Sequence, residues 1–229
     1  MQRLQQPATP ATAPTWAMST TRLEAFSDGV FAIAVTLLIL EIKVPAPVEG
    51  ADGGLAAALL HQWPSYVSYV TSFLTIGIFW ANHHSLFRFI KRTDQTLLMI
   101  NTLFLMAISF LPFPTALVAE YVGHAADEQV AALLYSGSFL VGGILFNAVW
   151  WYAIGKRRLI DPTTDAQLLH RFSVRGGVGM ILYGVAFALG FVSVPACLLL
   201  CILLAAMYAI PGPTATGGSP DPVGALEEP

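Results

Sequence analysis

A chain of 229 residues that is 55% hydrophobic and only 11% charged departs far from the roughly 25% charged content of ordinary soluble domains. The composition argues for lipid as the solvent and against a water-soluble globule. The formal net charge of -3 says little about partners, since the basic residues are sorted to one face, and the chain shows no nucleic-acid signature.

Residues 1–21 are rich in Pro, Thr, Ala and Gln and lack the apolar core of a signal peptide, which predicts a disordered tail. Residues 22–210 form the expected membrane domain, and residues 211–229 a second disordered tail. A helix needs about 20 apolar residues to cross a hydrocarbon core about 30 Å thick. Several such runs are present, and six helices are predicted, at Leu23–Val44, Pro64–Phe89, Gln95–Ala119, Gln129–Ile154, Phe172–Val192 and Pro195–Ile210. The fold class expected is therefore an all-α membrane protein with six transmembrane helices.

Helix one places Arg22, Ser27 and Asp28 in its first turns. Charged side chains in a membrane helix are costly and face protein or water. At about 100° per residue, Leu37 and Leu40 fall within about 40° of Ile33, with Thr36 about 60° to the side and Phe26 on the same stripe. Asp28 lies about 140° from Ile33. The polar side of the helix is thus expected to face its own bundle, leaving the apolar stripe free for lipid or another helix. Thr36 is expected to bond back to the Ala32 carbonyl.

Helix two ends in "FWANHHSLFRF". Counted from the basic ends of their helices, His83 and Asp28 lie at similar depth, about 8 to 9 Å in. The two clusters can meet, which makes a buried network of Arg22, Ser27, Asp28, Trp80, Asn82, His83 and His84 the structural expectation. Trp80, His84 and Phe87 share a helical face, with His83 to its side. Two functional readings compete with this one. Vicinal histidines plus an aspartate could hold a metal, although neighbouring helical residues point about 100° apart and rarely ligate together. An Asp–His pair could relay protons.

Helix three contains "SFLPFPTAL", where Pro112 and Pro114 remove backbone donors and kink the helix. A transporter would use such a break for substrate, ideally with a matching one in the other half. Helix six instead has its Pro195 in the first turn, where proline is tolerated. Helix five, "GGVGMILYGVAFALG", offers small residues for close helix contact. Cys197 and Cys201 lie four apart on helix six, where their Cβ atoms point poorly for a disulfide. They are read as packing residues.

Ten of the eleven basic residues fall on one side of this layout. Arg3 and Arg22 precede helix one, Arg88, Lys91 and Arg92 follow helix two, and Lys156, Arg157, Arg158, Arg171 and Arg175 are assigned to the link between helices four and five. Lys43 is the exception, and Glu49, Asp52, Asp127 and Glu128 share its side. The positive-inside rule then puts both termini in the cytoplasm. No serine–histidine, paired-aspartate or HExxH constellation suggests an enzyme.

"RLEAFSDGVFAIAVTLL" resembles the R-x-x-x-F-S-D signature that opens helix one in the transmembrane protein 175 family, potassium channels of lysosomes and bacteria. "FWANHH" resembles that family's second polar motif, W-x-x-H-H. Both motifs lie in helices one and two. The resemblance implies a homotetramer of six-helix subunits whose first helices, with Phe26 in the motif, surround a central pore in a bacterial plasma membrane. By position it implies an apolar constriction at Ile33, a second ring at Leu40 and a selectivity role for the Thr36 hydroxyl, with Leu37 between the rings. The chain lacks "TVGYG", so no carbonyl cage replaces an ion's hydration shell. A leak conductance favouring potassium modestly over sodium is the expectation, with permeant monovalent cations but no cofactor or metal. The alternative is a secondary or proton-coupled transporter.

Overall fold

The computed structural model describes residues 19–46 and 54–209, helical apart from one isolated bridge. Most of both tails, Arg3, Glu49, Asp52 and Ile210 lie outside the described residues. Helix α1 (Thr21–Leu37) tightens into a 3-10 turn at Leu38–Glu41 and ends in extended backbone at Ile42. It stops short of the predicted Val44, because Pro45 disfavours helical torsions in the residue before it. A short helix not anticipated from hydropathy, α2 (Gly54–His61), has no buried residue and leads into α3 (Trp63–Phe89).

The third hydrophobic run is divided into α4 (Gln95–Phe110) and α5 (Pro112–Tyr121). Leu111 between them keeps helical torsions, with φ at -57° and ψ at -33°, so the prolines kink one continuous rod. Helix α6 spans Glu128–Gly155, α7 Ala166–Gly190 and α8 Val194–Ala209. Asp94 and Asp165 cap α4 and α7, accepting from the Leu97 and Gln167 N–H groups at 3.0 and 2.9 Å. These caps satisfy donors that a helix start leaves unpaired.

The Asp165 cap corrects one expectation. Because α7 begins at Ala166, Arg171 and Arg175 lie inside a helix, not in the preceding link. The hydropathy window started too late because the first turns of α7 carry Gln167, His170 and Arg171.

Among the described residues, four stretches are long and apolar enough to cross a membrane: Thr21–Glu41, Gln95–Tyr121, Glu128–Gly155 and Ala166–Gly190. Helix α3 has the length, at 27 residues, but its polar content lowers its hydropathy. Those polar groups, Ser68, Thr71, Ser72, Thr75 and His83, are turned into the bundle and buried. The apolar α8 has 16 residues.

An aromatic column joins the helices. Phe104 of α4 lies 6.0 Å from Phe31 of α1, 5.9 Å from Phe79 of α3 and 5.8 Å from Phe146 of α6, ring centre to ring centre. Tilted and edge-on rings at such distances are favoured by their quadrupoles. At one end of the bundle the Lys91 N–H donates to the Leu159 carbonyl at 2.9 Å and the Asp161 N–H to the Phe89 carbonyl at 3.0 Å. This clasp, centred on Ile90 and Ile160, gathers Arg88, Lys91, Arg92, Lys156 and Arg157 at one end. Lys43 is at the other, paired with Glu120 at 3.7 Å. Cys197 and Cys201 are buried free thiols.

Candidate functional site

Helix α1 has two unlike sides. Leu23, Ser27, Phe31, Ala34 and Leu38 recur every three or four residues and are buried against the bundle. The opposite stripe is open: Phe26 is 58% exposed, Ile33 61%, Leu37 42% and Leu40 69%. Thr36 is also exposed. Its hydroxyl donates to the carbonyls of Ala32 and Ile33, each at 2.9 Å. The donor is thereby occupied and the oxygen lone pairs remain as acceptors.

The polar residues separate into two groups. In the buried group, the Ser27 hydroxyl donates to the Leu23 carbonyl at 2.8 Å and accepts from Asn101 Nδ2 at 3.1 Å. Asn101 Oδ1 is 2.9 Å from His83 Nε2. The direction of the chain follows from its end: a carbonyl accepts only, so Ser27 donates to it and Asn101 donates to Ser27. The Asn101 oxygen then accepts from His83, which fixes the proton on Nε2. His83 is 2% exposed and ringed by Phe31, Phe87 and Phe104 at 5.5, 4.7 and 5.8 Å.

The second group is exposed. Trp80 Nε1 donates to Asp28 Oδ1 at 2.9 Å, and His84 lies beside the Trp80 ring at 6.3 Å. Arg22 is exposed and makes no ion pair with Asp28 among the described residues. Asn82 is half-buried on a different wall, in a cleft toward α7.

Several expectations are thus corrected. It is Ser27, not Asp28, that turns into the bundle, since one residue of helix rotates the side chain by about 100°. Asp28 meets the indole N–H of Trp80 and bonds to neither Arg22 nor His83 among the described residues. His83 and Phe87 are buried while Trp80 and His84 are exposed, so the face shared by Trp80, His84 and Phe87 is cut by the bundle edge. The Asp28–His83 relay does not form: the His83 chain ends on a backbone carbonyl, and Asp28 is bonded to an indole. The vicinal histidines point to different surroundings.

Asn101, the hinge of the buried group, was missed. An asparagine inside "LLMINTLFLM" was itself a signal, since a buried amide needs partners. A second chain was missed too. Ser72 Oγ lies 2.7 Å from Thr115 Oγ1 and 3.0 Å from the Tyr135 hydroxyl, and Thr115 donates to the Leu111 carbonyl at 2.8 Å. It ties α3 and α6 to the proline kink.

These features define an integral-membrane helical bundle whose first helix is buried along one face, with Ser27 bonded into the bundle, and open along the other. Residues 22–112 match the family described as endosomal/lysosomal potassium channel TMEM175. A potassium channel of Streptomyces collinus is 44% identical over 202 residues, covering 87% of this chain and 97% of its own. The crystal structure of a lysosomal potassium-selective channel TMEM175 homolog from Chamaesiphon minutus superposes with a TM-score of 0.74 at 44% identity, over 83% of this chain and 96% of that one. The Gallus gallus endosomal/lysosomal proton channel TMEM175 is 36% identical over 166 residues, which is 32% of its length. The chain belongs to the TMEM175 family.

Proposed function

We propose that the chain forms a potassium-permeable leak cation channel, modestly selective for potassium over sodium. It assembles as a homotetramer with α1 around the central axis. Each subunit crosses the membrane six times, through α1, α3, the kinked α4–α5 rod, α6, α7 and α8. Both termini face the cytoplasm of a bacterial cell, with the clasp and its basic residues on the same side.

The observation that carries this reading is the two-sidedness of α1. Its inward face, Leu23, Ser27, Phe31, Ala34 and Leu38, is buried and tied to Asn101 of α4 through Ser27, while Phe26, Ile33, Leu37 and Leu40 are exposed. Four such stripes around an axis make stacked apolar rings at Ile33, Leu37 and Leu40. A narrow apolar ring blocks ions by dewetting, because an ion loses hydration with nothing to replace it. Thr36 offers the acceptor lone pairs between these rings. The names carried by relatives from Streptomyces collinus and Chamaesiphon minutus support potassium as the permeant ion.

Planar-bilayer recordings test the proposal. Wild-type protein should show single-channel steps down an imposed gradient without a co-substrate, with potassium preferred over sodium. Ile33→Asn should hydrate the constriction, raise the current and reduce discrimination. Unchanged conductance and selectivity in a well-assembled Ile33→Asn protein would remove this stripe from the pore. Flux that requires a coupled proton or solute gradient would make the protein a transporter.

A further inference from the structure

Helix α7 is the least enclosed of the four long apolar stretches, with 11% of its apolar window buried against 28% to 50% for the others. Val174, Val178, Ile181 and Val185 line its outward stripe, a surface suited to hydrocarbon. Arg175 interrupts this pattern. It stands nine residues into the helix, roughly 13 Å from its start. The neighbouring helix gives a similar depth: Asn147, eight residues before the end of α6, donates from Nδ2 to the Gly176 carbonyl at 3.2 Å.

Among the described residues no carboxylate pairs with Arg175. Its guanidinium lies over the Tyr208 ring of α8, 5.6 Å from the ring centre. A cation on a helix that borders lipid is costly unless an anion or water answers it. Next to it a cleft of about 50 Å³ opens between α3, α6, α7 and α8. Phe79, Phe146, Phe172 and Met180 supply apolar walls, with Asn82 and Tyr208 as polar neighbours. Glycine shapes the α7 wall: a Cβ at Gly179 would stand 3.2 Å from the Tyr208 hydroxyl.

We propose that Arg175 and this cleft bind the headgroup of an anionic phospholipid from the leaflet at the basic end of the bundle. The guanidinium takes the phosphate oxygens, a fork that suits its planar donors. The glycerol and first methylenes lie along the aromatic mouth of the cleft. Charge complementarity selects the occupant: a cation with no carboxylate partner among the described residues, beside apolar surface on a helix open to lipid, matches an anionic head on an apolar chain. This site is separate from the α1 stripe and stands whether or not that stripe conducts.

Native mass spectrometry of the full chain, titrated with phosphatidylglycerol or phosphatidylcholine, tests the proposal. Wild type should hold phosphatidylglycerol about tenfold more tightly than phosphatidylcholine. Arg175→Gln should abolish that preference, Arg175→Lys should keep part of it, and Arg157→Gln on the clasp should change it less than about twofold. Tyr208→Leu keeps the charge but frees the guanidinium, and should lower the preference about threefold. Inorganic phosphate should not displace the lipid. A preference that survives Arg175→Gln, or falls equally in Arg157→Gln, overturns the proposal. So does displacement by inorganic phosphate at matched concentration, which would mark a free-anion site.

Discussion

His83 Nε2 donates to Asn101 Oδ1 across 2.9 Å, and this one bond joins α3 to α4 at the residue that also donates to Ser27 of α1. The three helices share a single directed chain that ends on the Leu23 carbonyl. Asn101→Leu should therefore destabilise the protein by about 1 to 3 kcal/mol, since it leaves His83 and Ser27 short of a partner. Combining it with His83→Phe should cost less than the sum of the two changes, because no orphaned donor remains. Thermal unfolding of the four proteins in a double-mutant cycle measures this coupling.

The adjacent histidines should behave differently. His83→Ala removes a buried ring packed on three phenylalanines, at a cost of about 3 kcal/mol. His84→Ala changes an exposed side chain and should stay within about 0.5 kcal/mol in subunit stability. Size exclusion separates subunit folding from assembly: a His84→Ala protein with a normal melting midpoint but a smaller particle assigns His84 to contacts between copies.

Two neighbouring glycines on α7 make an internal control. A Cβ at Gly176 would lie 2.8 Å from the buried Asn147 Oδ1, which has no hydrogen-bond partner among the described residues, whereas one at Gly177 meets nothing within 4 Å. Gly176→Ala should destabilise by about 1 to 3 kcal/mol through overpacking. Gly177→Ala should be neutral or stabilising by roughly 0.5 to 1 kcal/mol, since alanine is the better helix former. Opposite shifts of the melting midpoint are the expected result.

The hydroxyl chain at the proline kink predicts a graded effect. Tyr135→Phe removes one bond to Ser72 and should cost about 1 kcal/mol. Thr115→Val removes the link to both Ser72 and the Leu111 carbonyl, and should cost more. Thermal melts rank the two, and equal losses would mean that the kink is held by the prolines alone.

Thr36 separates chemistry from geometry on the open face of α1. Thr36→Ser retains the acceptor oxygen and should keep most of the potassium preference. Thr36→Val retains the shape, loses the acceptor and should lower that preference. Reversal potentials under potassium and sodium gradients distinguish them.

Much of the molecule was legible in its residues. Hydropathy located the helices, because lipid demands long apolar runs with internally satisfied backbone. Pro112 and Pro114 announced a kink, and the 3.6-residue period grouped Ile33, Leu37 and Leu40 on one stripe. The R-x-x-x-F-S-D motif pointed to the family that the comparisons identify. The length of α7 was underestimated because hydropathy is blind to a polar first turn capped by Asp165.

Tertiary structure alone decided which side chains meet. Periodicity within a helix states which residues share a face but not which way that face is turned, and one residue of rotation separates Ser27 from Asp28. Packing of Phe31 against Phe104 and His83 chose the rotation, which buried Ser27 beside Asn101 and left Asp28 with Trp80 at the bundle edge. The packing of α7 against α8 put Arg175 beside Tyr208, two residues of successive helices with no local pattern connecting them. The sequence by itself determined where the long apolar stretches lie, because these depend on local composition. The partners depend on the register and rotation of whole helices, which only the assembled bundle sets.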